Sequence, residues 1–127
     1  MCKSILIVDD NAQVRQTLRH RLERDGSDWK VCAEAKDGRE AVVQAQNMPV
    51  DLIVIDLSMP RMNGLEAARL LKQTNPNVPI VMLTLYKDDA LEREAYAAGI
   101  SAVLSKADDI RKLISCARVL LMCASPS

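Results

Sequence analysis

The stretch Asp51-Leu52-Ile53-Val54-Ile55-Asp56 sets four apolar residues in one unbroken run and closes it on a carboxylate. Such a run leaves no polar side for water, so a strand made of it is buried on both faces, as strands of a parallel sheet are. Working outward, runs of the same kind stand at Ile5-Val8 and Val31-Ala35 before it and at Ile80-Leu83 and Ala102-Leu104 after it. A stretch with helical spacing follows each run, and this β-α alternation predicts an α/β three-layer sandwich, a parallel sheet with helices above and below.

The stretches between the runs have readable helical faces. Val14, Leu18 and Leu22 recur every four residues, Leu91 and Ala95 do the same, and Ile110, Leu113, Ile114, Ala117 and Leu121 form the widest apolar stripe. Asn11, Asp37, Asn63, Asp88 and Asp108 stand where helix N-caps are expected, and Gly26, Asn75-Pro76 and Gly99 where helices stop.

At 127 residues the chain is one domain long, and 49% hydrophobic with 27% charged residues is the composition of a protein that folds around its own core. Lys plus Arg and Asp plus Glu are both 17, a formal net charge of zero, which argues against gripping nucleic acid or an acidic membrane by bulk charge. No apolar run nears the roughly 18 residues that span a bilayer. Cys2, Cys32, Cys116 and Cys123 show no C-x-x-C pair, and His20 is the sole histidine, so metal-ligand spacing of the zinc type is absent. With only Trp29, Tyr86 and Tyr96 as aromatics, the core must be aliphatic and stacking on bases is not expected.

Ligands of an open parallel sheet bind outside the carboxyl ends of its strands. The first run ends in Asp9-Asp10, the third in Asp56, the fourth in Thr84 and the fifth in Ser105-Lys106, with Ser58, Asn63 and Tyr86 in the loops beyond. Carboxylates crowded into one pocket repel, a pair about 4 Å apart by roughly 4 kcal/mol at an effective dielectric of about 20, so the site either raises a carboxylate pKa or recruits a cation. Oxygen ligands, few and with room for water, suit Mg²⁺ better than zinc or copper. Lys106 adds a fixed positive charge. A carboxylate held between the two can attack phosphorus and form an acyl phosphate, with Thr84 offering its hydroxyl to a phosphoryl oxygen. The loop Asp9-Asp10-Asn11 attracts cations and repels anions, against a glycine-rich dinucleotide loop, a Walker loop or an FMN site. A single histidine leaves no Ser-His-Asp or Cys-His set to build.

These residues resemble one family closely, the CheY-like receiver domain of bacterial two-component response regulators. The matching segments are Ile5-Leu6-Ile7-Val8-Asp9-Asp10, Asp51 through Pro60 with Met62-Asn63-Gly64-Leu65, Pro79-Ile80-Val81-Met82-Leu83-Thr84, and Ala98-Gly99 through Lys106. The resemblance implies a flavodoxin-like doubly wound (βα)5 sandwich with a five-stranded parallel sheet of order 2-1-3-4-5. It implies that Asp56 is the phosphoacceptor, that Asp10, Asp56 and the Ser58 backbone carbonyl hold Mg²⁺ directly with Asp9 helping through water, and that Thr84 and Lys106 are the switch hydroxyl and the phosphate-pairing lysine. The donor would be a phosphohistidine on a sensor histidine kinase or a small acyl phosphate. The chain would catalyse only its own Mg²⁺-dependent phosphorylation and dephosphorylation, and would not otherwise be an enzyme. Phosphorylation would shift the face made by the fourth helix, fifth strand and fifth helix, which could also carry a homodimer. Ser58 and Tyr86 would flank the path of attacking water, Tyr86 shielding the acyl phosphate.

Two positions depart from the family pattern: Val103 stands where an aromatic often precedes the lysine by three residues, and Ala107 stands where Pro often follows it. The Leu104-Ser105-Lys106-Ala107-Asp108 segment resembles receivers of the NarL/LuxR type, which precede a helix-turn-helix domain. The expected organisation is therefore a receiver at 1–122 and a tail or linker at 123–127. The output would be transcriptional, with DNA reached only through a domain beyond these residues, in a cytoplasmic protein without a membrane span. Arg15, Arg19, Arg21 and Arg24 make the first helix basic, either a solvated face or a kinase-docking one. A phosphorylation-independent pseudo-receiver, acting as an interaction module, is the alternative, which Val103 leaves open. A Mg²⁺-dependent phosphatase with an Asp nucleophile lacks the D-x-D spacing after one strand.

Overall fold

The computed structural model describes residues 2–26, 28–59 and 62–123, the last without its side chain. Among the described residues five strands alternate with five helices: β1 (Lys3–Val8), α1 (Ala12–Asp25), β2 (Trp29–Ala35), α2 (Gly38–Asn47), β3 (Leu52–Asp56), α3 (Gly64–Thr74), β4 (Ile80–Thr84), α4 (Asp89–Ala97), β5 (Ala102–Ser105) and α5 (Ile110–Cys123). The strands form one parallel sheet in the order β2-β1-β3-β4-β5, as expected. The tail proposed at 123–127 lies, apart from Cys123 at the end of α5, outside the described residues, as does Pro60 of the matching segments.

Every residue of β3 and β4 is buried. Their alternate side chains feed two aliphatic cores. Ile53, Ile55, Ile80 and Met82 meet Ala41 and Ala45 of α2, Leu65, Ala67, Ala68 and Leu71 of α3, and Ala95 of α4. On the opposite face Leu52, Val54, Val81 and Leu83 meet Leu18 and Leu22 of α1 and Leu113, Ile114, Ala117 and Leu121 of α5. Burying each such Leu, Ile or Val contributes about 1.5–3 kcal/mol before conformational entropy is counted. Small residues on α2 and α3 let those helices approach closely: a Cβ on Gly38 would stand 2.9 Å from that of Ala67.

The pairing of β1 with β2 is interrupted. Ile5 pairs with Val31 but Leu6 pairs with Ala33, so Cys32 is an extra residue in β2. Its thiol donates to the Ile5 carbonyl at 3.4 Å. One extra residue reverses the facing of everything after it. Val31 points into the α1–α5 core whereas Ala35, four residues on, points into the opposite core. Glu34 is thereby turned toward α1.

Helix ends follow the predicted chemistry at Asn11, Asp37, Asn63 and Asp88, whose side chains accept from backbone N–H groups of the first turn. The fifth is corrected by one residue: α5 starts at Ile110, and it is the Asp109 carboxylate that accepts the Arg111 N–H at 2.9 Å. Asp108 instead gives its N–H to Ser105 O and pairs through its side chain with Lys112. α4 closes in a Schellman motif, Ile100 N–H to Ala95 O and Gly99 N–H to Tyr96 O, with Gly99 at φ +96°, a conformation glycine reaches without strain. Trp29 packs so tightly on Gly26 that a Cβ there would lie 1.9 Å from the indole, and the Arg118 guanidinium sits 5.2 Å above the ring.

Candidate functional site

The carboxyl edge of the sheet gathers the charges named from sequence. β1 delivers Asp9, 1% exposed, whose own N–H donates to Ala35 O and whose Oδ1 accepts from Asn11 N–H at 2.9 Å, folding the carboxylate over the start of α1. β3 delivers Asp56, 4% exposed, at its last position. Asp10 lies one residue along and is exposed. Carboxylate oxygens of all three lie within 4.8 Å of one another.

Lys106 reaches in from the end of β5. Its Nζ is 3.0 Å from Asp56 Oδ1 and 3.2 Å from Asp9 Oδ2, while its backbone N–H donates to Thr84 O at 2.7 Å. Thr84 is buried at the end of β4, in register with Ser105, and neighbours Leu83, the partner of Asp56. Its Oγ1 accepts from Tyr86 N–H at 3.2 Å, which leaves the hydroxyl proton free to be donated elsewhere. The Tyr86 side chain stands 83% exposed. Ser58 is exposed in the loop after β3 and shares an open depression with Asp10, Asn63 and Met59. Val103 lies buried in β5 among the residues that face α2, α3 and α4.

One lysine does not neutralise the site. Burial, reinforced by the Asp9 charge, pushes the Asp56 carboxyl above the ordinary carboxylate range, against the pull of Lys106 and of the Ser58 N–H. Burial draws Lys106 down, yet its contacts with Asp56 and Asp9 outweigh this and hold the ammonium above its usual value. The lysine is therefore charged at neutral pH, opposite a crowded carboxylate that gains from any further cation.

Two positioning features escaped the sequence reading. Gly64, where α3 begins, has its N–H on Leu57 O at 2.8 Å, and a Cβ there would stand 2.5 Å from Asp56 O and 2.9 Å from Leu57 Cα. Only glycine lets α3 start this close to the end of β3; Gly64 stands in the segment Met62-Asn63-Gly64-Leu65 that carries the family resemblance, but the sequence does not show which backbone it approaches. Arg15 of α1 donates from Nη1 to the Asp9 backbone carbonyl at 2.6 Å. The basic first helix is also less free than its composition suggested, since Arg15 and Arg19 pair with Glu34, and Arg21 and Arg24 with Asp25.

A parallel (βα)5 sheet with a carboxylate cluster, a hydroxyl and a lysine on its carboxyl edge defines the receiver class of signalling domains. The family described as response regulator receiver domain matches residues 5–118, and the chain belongs to it. The response regulator UvrY of Escherichia coli (strain K12) is 36% identical over 115 residues, 91% of this chain and 52% of UvrY. The transcriptional regulatory protein LnrK of Bacillus subtilis (strain 168) is 39% identical over 114 residues, 87% of this chain and 51% of LnrK. The chain thus spans about half the length of these relatives. Among solved structures, a LuxR-family two-component response regulator from Aurantimonas sp. SI85-9A1 superposes with TM-score 0.91 at 30% identity, covering 96% of this chain and 86% of that one. The Vibrio cholerae chemotaxis protein CheY4 superposes with TM-score 0.86 at 30% identity, covering 94% and 99%. The protein is a receiver domain of two-component systems with an acidic pocket compatible with Mg²⁺. No helix among the described residues is long and apolar enough to cross a membrane.

Proposed function

We propose that this receiver takes a phosphoryl group on Asp56 from the phosphohistidine of a sensor histidine kinase, or from a small acyl phosphate, in the cytoplasm and with Mg²⁺. The observation that carries the reading is the convergence of Asp56, Asp9 and Asp10 within 4.8 Å, with Lys106 3.0 Å from Asp56. The donor set fits the ion, because hard carboxylate oxygens, one of them on an exposed residue, suit a small cation that keeps part of its water. Asp10 and Asp56 with the Ser58 carbonyl would hold Mg²⁺, Asp9 acting through water. Bound there, the ion supplies positive charge against the carboxylates and the phosphoryl oxygens.

An Asp56 carboxylate oxygen attacks phosphorus, the P–N bond to imidazole breaks, and the freed histidine takes a proton. Lys106 already points at the attacking group and shifts its ammonium onto a phosphoryl oxygen as Asp56 loses its negative charge in the acyl phosphate. Thr84 donates its free hydroxyl proton to another phosphoryl oxygen, carrying with it the Tyr86 N–H bonded to that hydroxyl. Later, water attacks phosphorus, the acyl P–O bond breaks, and Asp56 is restored as a carboxylate. The domain catalyses only these steps on itself.

Val103 has no ring to rotate, so the switch passes through Thr84 and the β4–α4 loop to the α4–β5–α5 face, which is also the surface for a homodimer. The likeness to the transcriptional regulatory protein LnrK supports an output on transcription, with DNA contacted by a domain outside these residues. The test is intact mass after incubation with Mg²⁺ and acetyl phosphate. One phosphoryl adduct is expected on wild type, dependent on Mg²⁺ and missing from Asp56→Asn. No adduct and no beryllofluoride binding would replace this reading with a phosphorylation-independent interaction module.

A further inference from the structure

The β1–α1 turn that carries two of the three carboxylates is held from behind by a relay of side chains. Arg15 Nη1 donates to the Asp9 backbone carbonyl at 2.6 Å, and its Nε donates to Glu34 Oε1 at 3.0 Å. The second Glu34 oxygen is taken by Arg19 Nη1 at 2.6 Å. Arg15 is only 17% exposed and Glu34 25%, so this ion pair is screened less than a surface pair. Glu34 can take part only because Cys32 is an extra residue in β2: in an uninterrupted register its side chain would face the α2–α4 layer, away from α1.

We propose that Arg15, oriented by Glu34, is a positioning residue that sets the affinity of the acidic pocket for a divalent cation by fixing the Asp9-Asp10 main chain. This rests on the Mg²⁺-dependent reading above. The physical reason lies in the turn itself. Asp9 and Asp10 repel each other and Asp56, and repulsion relaxes most easily by swinging the turn away from β3. One hydrogen bond holds the Asp9 carboxylate to its own turn, from Asn11, and another ties it to Lys106. The charged bond from Arg15 to the Asp9 carbonyl ties the backbone to α1 without occupying any carboxylate oxygen. Arg15 therefore stiffens the ligand frame while leaving its donor atoms open, as partners behind metal ligands do. Arg19 shares Glu34 but donates its other bond to Val31 O rather than to the turn, which makes it an internal control.

The test is direct titration of the full chain with Mg²⁺ by calorimetry, without any phosphoryl donor, alongside thermal unfolding in the absence of the ion. Arg15→Ala is expected to weaken Mg²⁺ binding about tenfold, the scale on which such supporting partners act. Glu34→Gln should give an intermediate loss, Arg15→Lys should recover part of it, and Arg19→Ala should stay within about twofold of wild type. With acetyl phosphate, the Mg²⁺ concentration for half-maximal phosphorylation should rise in Arg15→Ala while the rate at saturating Mg²⁺ holds. Should Arg15→Ala prove unfolded, Glu34→Gln and Arg15→Lys decide the matter by the same titration. Equal affinities in wild type, Glu34→Gln and Arg15→Lys, or an Arg19→Ala loss as large as that of Arg15→Ala, would overturn the proposal. Absence of Mg²⁺ binding by wild type itself would overturn both this inference and the reading beneath it.

Discussion

Ile53 and Asp56 lie three residues apart on the same strand, both buried, and they obey opposite rules. Ile53 sits in aliphatic surroundings supplied by the neighbouring strands and helices, and its burial stabilises the fold. Asp56 is buried beside a second carboxylate with one lysine to serve both, and burial pushes its pKa up. The interior of the sheet is built for stability, and its carboxyl edge holds charge at stability's expense.

The contrast can be broken most severely from the core side. Ile53→Ala is expected to cost about 3–4 kcal/mol in urea unfolding, from lost burial and the cavity left behind. Gly64→Ala, at the junction of the two regimes, pushes a methyl into the Asp56 carbonyl and should cost about 2 kcal/mol. It should also lower phosphorylation by acetyl phosphate, since the displaced atoms belong to the proposed phosphoacceptor.

Asp56→Asn sharpens the comparison, because relieving a charge conflict kept at a functional site should raise metal-free stability, by about 1 kcal/mol. The pH dependence follows from the sign of the shift. Asp56 in the folded protein keeps its proton to higher pH than in the unfolded chain, so its contribution to stability falls as pH rises from 3.8 through the raised folded value and is flat beyond it. The advantage of Asp56→Asn should therefore grow over that window and then level off, and saturating Mg²⁺ should erase it at pH 7. A variant that gains nothing at neutral pH would show that Lys106 alone balances the edge.

The smallest effects lie away from both regions. Asp109, exposed and held down to about pKa 2 chiefly by Arg111, favours the folded state above pH 3.8 and loses that influence as pH falls toward 2. Asp109→Ala should slightly speed amide exchange in the first turn of α5 and leave the remainder unchanged. Arg118→Ala should cost about 0.5 kcal/mol and alter the emission of Trp29, the only tryptophan.

The fold was legible because burial on both faces writes itself as unbroken apolar runs, and the charged edge because topology brings strand ends together. Asp9, Asp10, Asp56, Thr84 and Lys106 needed no distances to be grouped. Cys32 was not legible as an extra residue, since Trp29–Ala35 reads equally well with or without an interruption, and the facing of Glu34 depends on it. Arg15 was read by its charge, whereas its contact is to a backbone carbonyl, a group with no signature in sequence. Asp109 carries the same side chain as Asp108, and which of the two serves the first turn of α5 depends on where the β5–α5 turn closes.

The interruption at Cys32 has a consequence for the sheet as an object of finite width. β2 is an outer strand, and an outer strand with a regular ladder is a template on which another chain can add itself. An extra residue midway breaks the repeat that such an addition would have to match, and Lys30, two residues before it, is exposed. The opposite border, β5, is only four residues long. The residue that turns Glu34 toward the first helix also guards the protein against growing into an aggregate through its longest open border.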